Sequence, residues 1–303
     1  MSFVGADELE SIELMSVAWI YPGQGSQVVG MGRDLQDWPG AARKLAVARE
    51  VLGWDPLALS EEQIHQTGYT QPALFTVSAL LTDYLYAQGQ APACTAGHSL
   101  GEYSALYAAG VFDFETGLRL VALRGQLMEA AGDPPGSMAA LIGFDRDKLE
   151  HLCQMTPDVV IANDNSPDQV VISGSVEGVQ AICEQLQAKR TVPLKVSGAF
   201  HSPLMQAAAE TFAHTLREVD FQAPRVPVYS NCTAAASRDP QVLKQALLSQ
   251  MTAPVRWRET VLQMAADGIR EVWEIGPGNV LTGLVRRTAP ALGRCNISSL
   301  SIG

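Results

Sequence analysis

The stretch ACTAGHSLGEYSALYAAG, residues 93–110, decides how the chain is read. A short apolar run gives way to a serine between two glycines, and an alanine-rich segment follows. Strand, sharp turn and helix in that order make a nucleophile elbow: Gly97 and Gly101 leave room for the turn, and the Ser99 hydroxyl is lifted clear of the backbone. At the mouth of the helix the Leu100 N–H would face an oxyanion and lie at the favourable end of the helix dipole. In a chain with 26 glycines the same spacing also occurs in ordinary turns, so Ser99 needs partners before it counts as a nucleophile.

Working outward, MSVAWIYPGQGSQ (15–27) reads as a buried strand entering a Gly-rich turn, and AARKLAVAREVLGW (41–54) as a helix. TQPALFTVSALLTDYLYAQG (70–89) reads as a second helix, with Thr70 as cap and Pro72 in the first turn, where a missing N–H costs nothing. DFETGLRLVALRGQLMEAAG (113–132) continues as a long helix stopped by Gly132. This alternation predicts an α/β sheet. After DPPG the rhythm changes to strand, helix, strand, strand, helix, strand, from SMAALIG to TVPLKVS (137–197). That βαββαβ order predicts a smaller ferredoxin-like domain at 136–198, inserted into a large α/β-hydrolase-like domain formed by 15–135 and 199–303.

Composition narrows the function classes. The 303 residues are 47% hydrophobic and 17% charged, as in a packed α/β enzyme. No apolar run approaches the roughly 18 residues that span a bilayer, so a soluble protein with no membrane partner is expected. Residues 1–14 carry four acids and no base, which reads as an acidic tail and not a signal peptide. Five scattered cysteines without a C-x-x-C pair suggest neither disulfides nor a metal site, and point to a reducing, cytoplasmic setting. A net charge of −11 argues against nucleic acid.

A serine hydroxyl needs a base. His65, His151 and His214 fall on ordinary helical or surface positions, and His98, next to the serine, should point away from it. His201 in SGAFHSPLM stands where a strand ends and a helix begins, with Ser202 and Pro203 as cap and first turn. Both a catalytic base and a structural histidine remain open for it. Arg124 rises from an otherwise apolar helix face made by Gly117, Leu120, Val121, Leu127, Met128 and Ala131. An unpaired charge there is costly, so Arg124 holds either a buried acid or a substrate carboxylate. Arg119, by contrast, faces Glu115 one turn earlier as a surface pair. PGQGSQVVGMG lacks the third glycine of a dinucleotide fingerprint, because Val28 stands there; its Gly23-Gln24-Gly25 turn would still present N–H groups to a ligand.

With these residues in view, the chain resembles the malonyl-CoA:acyl carrier protein transacylases of type II fatty acid synthesis. The likeness runs from about Val17 to Arg287 through YPGQGSQ, TQPALF, GHSLGEYSAL, LRGQLM, NDNSPDQVVISG, GAFHSPLM, QMTAPVRW and EIGPGNVLTGL, in that order. The resemblance implies Ser99 as nucleophile, His201 as its base and Gln250 as the residue whose backbone carbonyl orients the histidine. It implies an oxyanion hole of the Gln24 and Leu100 N–H groups, Arg124 as partner of the malonyl carboxylate, and Asn163 and Asn231 as residues lining the same cleft. Malonyl-CoA and a phosphopantetheinylated acyl carrier protein are the implied partners of a monomer without a cofactor. Arg286 and Arg287, with help from Lys189 or Lys195, are candidate docking residues for the acidic carrier, or else a solvated helix end.

Three other readings compete. A serine esterase shares the elbow, but its histidine falls near the C-terminus, whereas here only His214 follows His201. An acyltransferase serving a polyketide synthase would share every catalytic residue. A binding module would keep the fold without turnover, which Ser99, His201 and Arg124 together argue against.

Overall fold

The computed structural model describes residues 16–131, 135–196 and 198–300; the acidic tail over 1–14 and the expected helix stop at Gly132 lie outside them. The chain begins with β1 (Val17–Tyr21), α1 (Ala42–Leu52), α2 (Thr67–Ala87), β2 (Cys94–Gly97), α3 (Gly101–Ala108) and α4 (Phe114–Ala130). It continues as β3 (Gly136–Ile142), α5 (Arg146–Met155), β4 (Val159–Ser166), β5 (Gln169–Ser175), α6 (Val176–Leu186) and β6 (Arg190–Pro193). The last part is α7 (Gln206–Glu218), β7 (Val228–Tyr229), β8 (Ala236–Ser237), α8 (Pro240–Ser249), α9 (Trp257–Ala266), β9 (Glu271–Ile275), α10 (Val280–Thr288) and β10 (Gly293–Ile297).

These elements make a mixed α/β protein with two sheets. The larger has the order β10-β9-β1-β2-β7-β8 and is parallel except for β8. A parallel sheet covered on both faces needs apolar residues on both, which is why β1 reads VAWIY without alternation. Val17, Trp19 and Tyr21 pack into one core, and Ala18 and Ile20 into another with Trp257, Val261 and Leu281. The smaller sheet, β4-β5-β3-β6, is antiparallel throughout. Its core joins Leu141, Val170 and Ile172 to Leu149 of α5 and to Val179 and Ile182 of α6.

In the larger sheet the chain leaves β1 in one direction through β2 to β7, and fills the other side with β9 and β10. Crevices at the carboxyl ends of strands near such a reversal are where ligands bind in open α/β sheets. The PGQGS turn, the elbow and the GPGN turn leave the carboxyl ends of the neighbouring strands β1, β2 and β9.

The elbow depends on close backbone approach. A Cβ on Gly97 would lie 1.9 Å from the Gly101 carbonyl carbon, and one on Gly101 would lie 2.0 Å from Tyr21 O. Neither neighbour is a flexible side chain that could yield. Gly101→Ala is therefore expected to destabilise the fold by about 3 kcal/mol or more, read as a large drop in the melting temperature; an unchanged transition would contradict the packing described.

One helix start differs from the sequence reading. α2 begins at Thr67 behind Gln66, so Thr70 does not cap it and Pro72 lies within the helix. The Thr70 hydroxyl donates backward to Ile64 O at 2.6 Å and Gln66 O at 2.9 Å; it does not accept from N–H groups ahead of it. Residue type alone does not separate these two uses of a threonine. By contrast Asp113 caps α4 as a helix start requires, accepting from the Thr116 N–H at 2.8 Å. The last strand of the small sheet is also shorter than TVPLKVS suggests, ending at Pro193, and Ser197 lies outside the described residues.

Candidate active site

Ser99 has φ 52°, the left-handed backbone that a sharp strand-to-helix turn imposes on its nucleophile position. The turn is tied down by Asn231, whose Oδ1 accepts the Ser99 N–H at 2.7 Å while its Nδ2 donates to Gly97 O at 2.5 Å. Asn231, which the resemblance implies as a cleft residue, thus braces the elbow from beneath and is 2% exposed. An amide is needed there because the elbow offers it one donor and one acceptor. Asn231→Ala would leave the half-buried Ser99 N–H unpaired, so a loss of about 2 kcal/mol in stability is expected together with a lower acylation rate. Denaturant unfolding checks the first effect, and an unchanged midpoint would contradict it.

The Ser99 hydroxyl lies 2.7 Å from His201 Nε2. The other ring nitrogen, Nδ1, meets two carbonyl oxygens, Gln250 O at 2.9 Å and Ala253 O at 3.2 Å. Carbonyls only accept, so Nδ1 carries the proton and Nε2 presents its lone pair to the serine. His201 itself has φ 57° and is 3% exposed. Burial, and then the nearby Arg124 cation, push the imidazole down to about 3, which keeps it neutral at physiological pH.

Arg124 is fully buried on α4. Its Nη1 donates to Gln71 Oε1 at 2.7 Å, and its Nη2 to Ser99 Oγ and Gln250 Oε1, both at 3.1 Å. The guanidinium lies 5.4 Å from the centre of the Tyr103 ring. All three acceptors are neutral, so the charge lacks a direct carboxylate partner among the described residues. The salt-bridge alternative left open by the sequence is therefore not what occurs, whereas Arg119 does pair with Glu115 at the surface at 2.8 Å.

A cleft of about 210 Å³ opens over Ser99 and His201. Gln24, His98, Asn163 and Asn165 supply polar groups to its wall, and Val280, Leu281 and Leu284 of α10 form an apolar side. Asn163 sits at an irregularity of β4 where that strand bridges to Val255. The adjacent Asp164 holds Arg146 at 3.0 Å and Arg258 at 2.9 Å, which ties the small sheet to α9. His98 turns to Asn165, 2.8 Å away, while its ring remains part of the wall. The N–H groups of Gln24 and Leu100 have no protein acceptor among the described residues. Glu274 holds α10 in place by accepting the Leu281 and Thr282 N–H groups at 3.0 and 2.7 Å. Arg286 and Arg287 are exposed at the end of α10, the latter 3.9 Å from Asp168; Lys195 is exposed between Leu194 and Val196, which line the cleft. His65, His151 and His214 are exposed and away from the cleft. A separate surface hollow of about 420 Å³, around Lys44, Asp83 and Arg225, contains none of these groups.

The sequence reading singled out neither Gln71 nor Glu102, both 1% exposed. Glu102 carried a usable signal, a charge in an apolar helix, the same one that marked Arg124. Gln71 carried none beyond its place in TQPALF.

A serine on an elbow, a histidine with its lone pair aimed at it, and free N–H groups beside it define a serine-dependent acyl-transfer site. Residues 18–299 match the acyl transferase domain family, and the chain belongs to that family. A malonyl CoA-acyl carrier protein transacylase of Synechocystis is 49% identical over 289 residues, covering 94% of this chain and 98% of that protein. By that likeness the chain is a member of the malonyl-CoA:acyl carrier protein transacylases. The crystal structure of the Synechocystis malonyl-CoA:ACP transacylase superposes with a TM-score of 0.92 at 49% identity, covering 94% of this chain and 98% of that one. A malonyl-transacylase in complex with a type II polyketide acyl-carrier protein superposes with a TM-score of 0.88 at 39% identity, covering 94% and 96%. Among the described residues no helix is long and apolar enough to cross a membrane.

Proposed function

We infer that the chain transfers a malonyl group from malonyl-CoA to the phosphopantetheine thiol of acyl carrier protein, through a malonyl ester on Ser99, and so supplies fatty acid elongation. The observation that carries this reading is the Arg124 guanidinium, buried beside the Ser99 hydroxyl with only neutral acceptors. A substrate whose acyl group ends in a carboxylate completes that site, and an acetyl group leaves it incomplete.

In the first half-reaction His201 Nε2 takes the Ser99 proton while Oγ attacks the thioester carbonyl. The Gln24 and Leu100 N–H groups receive the oxyanion. The C–S bond breaks, and the CoA sulfur leaves with the proton from Nε2. In the second half-reaction the carrier thiol gives its proton to His201 and attacks the malonyl ester; Ser99 Oγ leaves and is reprotonated. Gln250 O and Ala253 O hold the ring and favour the imidazolium formed midway. Asn163 serves as a polar contact for the acyl group in this scheme, and Arg286 and Arg287 as cationic contacts for an acidic carrier.

We read 136–198 as a ferredoxin-like unit inserted into an α/β-hydrolase-like body of 15–135 and 199–303, a reading supported by the order β4-β5-β3-β6 of the small sheet. Five free thiols agree with a reducing, cytoplasmic setting.

Initial rates with malonyl-CoA and holo acyl carrier protein as varied substrates test the reading. Parallel double-reciprocal lines are expected from two half-reactions sharing one acyl-enzyme. Intersecting lines would require both substrates bound together and would overturn it.

A further inference from the structure

One buried acid of the site has no part in the chemistry above. Glu102 stands on the first turn of α3, 1% exposed. Its Oε2 accepts from Gln250 Nε2 at 2.7 Å and from the Asn231 N–H at 3.3 Å. The second Nε2 hydrogen of Gln250 goes to Ser99 O at 2.8 Å. With both amide hydrogens so placed, Gln250 Oε1 is left facing Arg124 Nη2. The flipped amide would set its oxygen against a carboxylate and a carbonyl, and its NH₂ against a guanidinium, so every contact would be between like partners. Glu102, together with Ser99 O, thus fixes which end of Gln250 Arg124 meets. On that side Arg124 Nη2 is held by Gln250 Oε1 and by the reacting Ser99 Oγ, and its Nε is unpartnered.

Building on the reading that Arg124 receives the malonyl carboxylate, we propose that Glu102 is a positioning residue for substrate recognition: its ionised carboxylate locks the Gln250 amide, and the locked amide presets the Arg124 guanidinium for the incoming carboxylate. The charged and titratable groups around it are Arg124 from α4, Tyr103 from its own helix and Cys232 from the turn after β7, with His201 facing Arg124 across the site. Burial raises the Glu102 carboxyl to about 7, against its hydrogen bonds with Gln250, Asn231 and Ser230 and the Arg124 charge, all of which favour ionisation. Above that pH the carboxylate accepts from Gln250 and the lock holds. Below it the neutral acid is a weaker acceptor for Gln250 Nε2 than the carboxylate, so the grip on the amide, and through it on Arg124, loosens.

The test is the ratio of Ser99 acylation rates with malonyl-CoA and acetyl-CoA, followed from about pH 5.5 to 8.5 in the full-length protein and in Glu102→Gln. In the wild type the malonyl:acetyl ratio is expected to fall about tenfold as pH drops through 7, through a rise in KM for malonyl-CoA. In Glu102→Gln the ratio is expected to be lowered throughout and flat with pH. A purely structural role would depress both acylations together and leave the ratio intact. A wild-type ratio that stays flat, or a Glu102→Gln protein that keeps the wild-type ratio and profile, overturns the proposal. If Glu102→Gln does not fold, the wild-type profile decides alone. Failure of malonyl-CoA to acylate Ser99 at any pH would defeat the function and the proposal with it, whereas acylation at a flat ratio defeats only Glu102.

Discussion

Ser99→Ala is expected to lower malonyl transfer to the carrier protein by at least about 10³-fold, because the covalent route is lost and only binding and the oxyanion donors remain. The hydroxyl is the group that His201 Nε2 meets at 2.7 Å. Its removal should leave the elbow standing. The Asn231 contact is to the Ser99 N–H and the Gln250 contact is to the Ser99 carbonyl, and alanine keeps both. Stability should then change by less than about 1 kcal/mol, so lost activity can be separated from lost fold by a melting curve. Transfer persisting above a tenth of the wild-type rate would mean that another group carries the acyl chain.

Arg124→Ala is expected to act on specificity. Loss of a charge-assisted pair with the malonyl carboxylate should lower acylation by malonyl-CoA about 10²-fold. Acetyl-CoA should move the other way. In the wild type an acetyl group leaves the buried cation without a carboxylate and its Nη2 still bound to Ser99 Oγ, which draws electron density from the nucleophile. The variant removes both handicaps, so the malonyl:acetyl preference should fall by about 10³-fold in competition. Arg124→Lys should not restore it, since one ammonium cannot reach Gln71 Oε1 and Gln250 Oε1 as the planar fork does. Equal loss for both substrates would instead make Arg124 a structural residue. Some stability will be lost too, because the side chain is fully buried.

The elbow was legible in the sequence because its rule is local: a strand, five residues at fixed spacing and a helix. Arg124 was legible for a similar reason, since a charge on an apolar helix face calls for a partner. His201 and Gln250 were not legible as partners of Ser99, because they come from 102 and 151 residues further along the chain, and spacing carries no information at that range. Only the resemblance joined them to the serine. The bracing of the elbow by Asn231 was not legible either, because it depends on which face of a turn that residue occupies. Thr70 was misread because a threonine near a helix start can bond forward to N–H groups or backward to carbonyls. Both sheets were foreshadowed by the order of their elements, and β1 by its unbroken apolar run; the neighbours each strand takes across the sheet are set by packing.

The most direct test is the intact mass of the protein quenched in acid after mixing with malonyl-CoA, with peptide mapping of the adduct and a chase by holo acyl carrier protein. The account predicts one malonyl group on the peptide bearing Ser99, none in Ser99→Ala, and its quantitative passage to the carrier during the chase. An adduct on a different residue, or one that the carrier does not discharge, would contradict it.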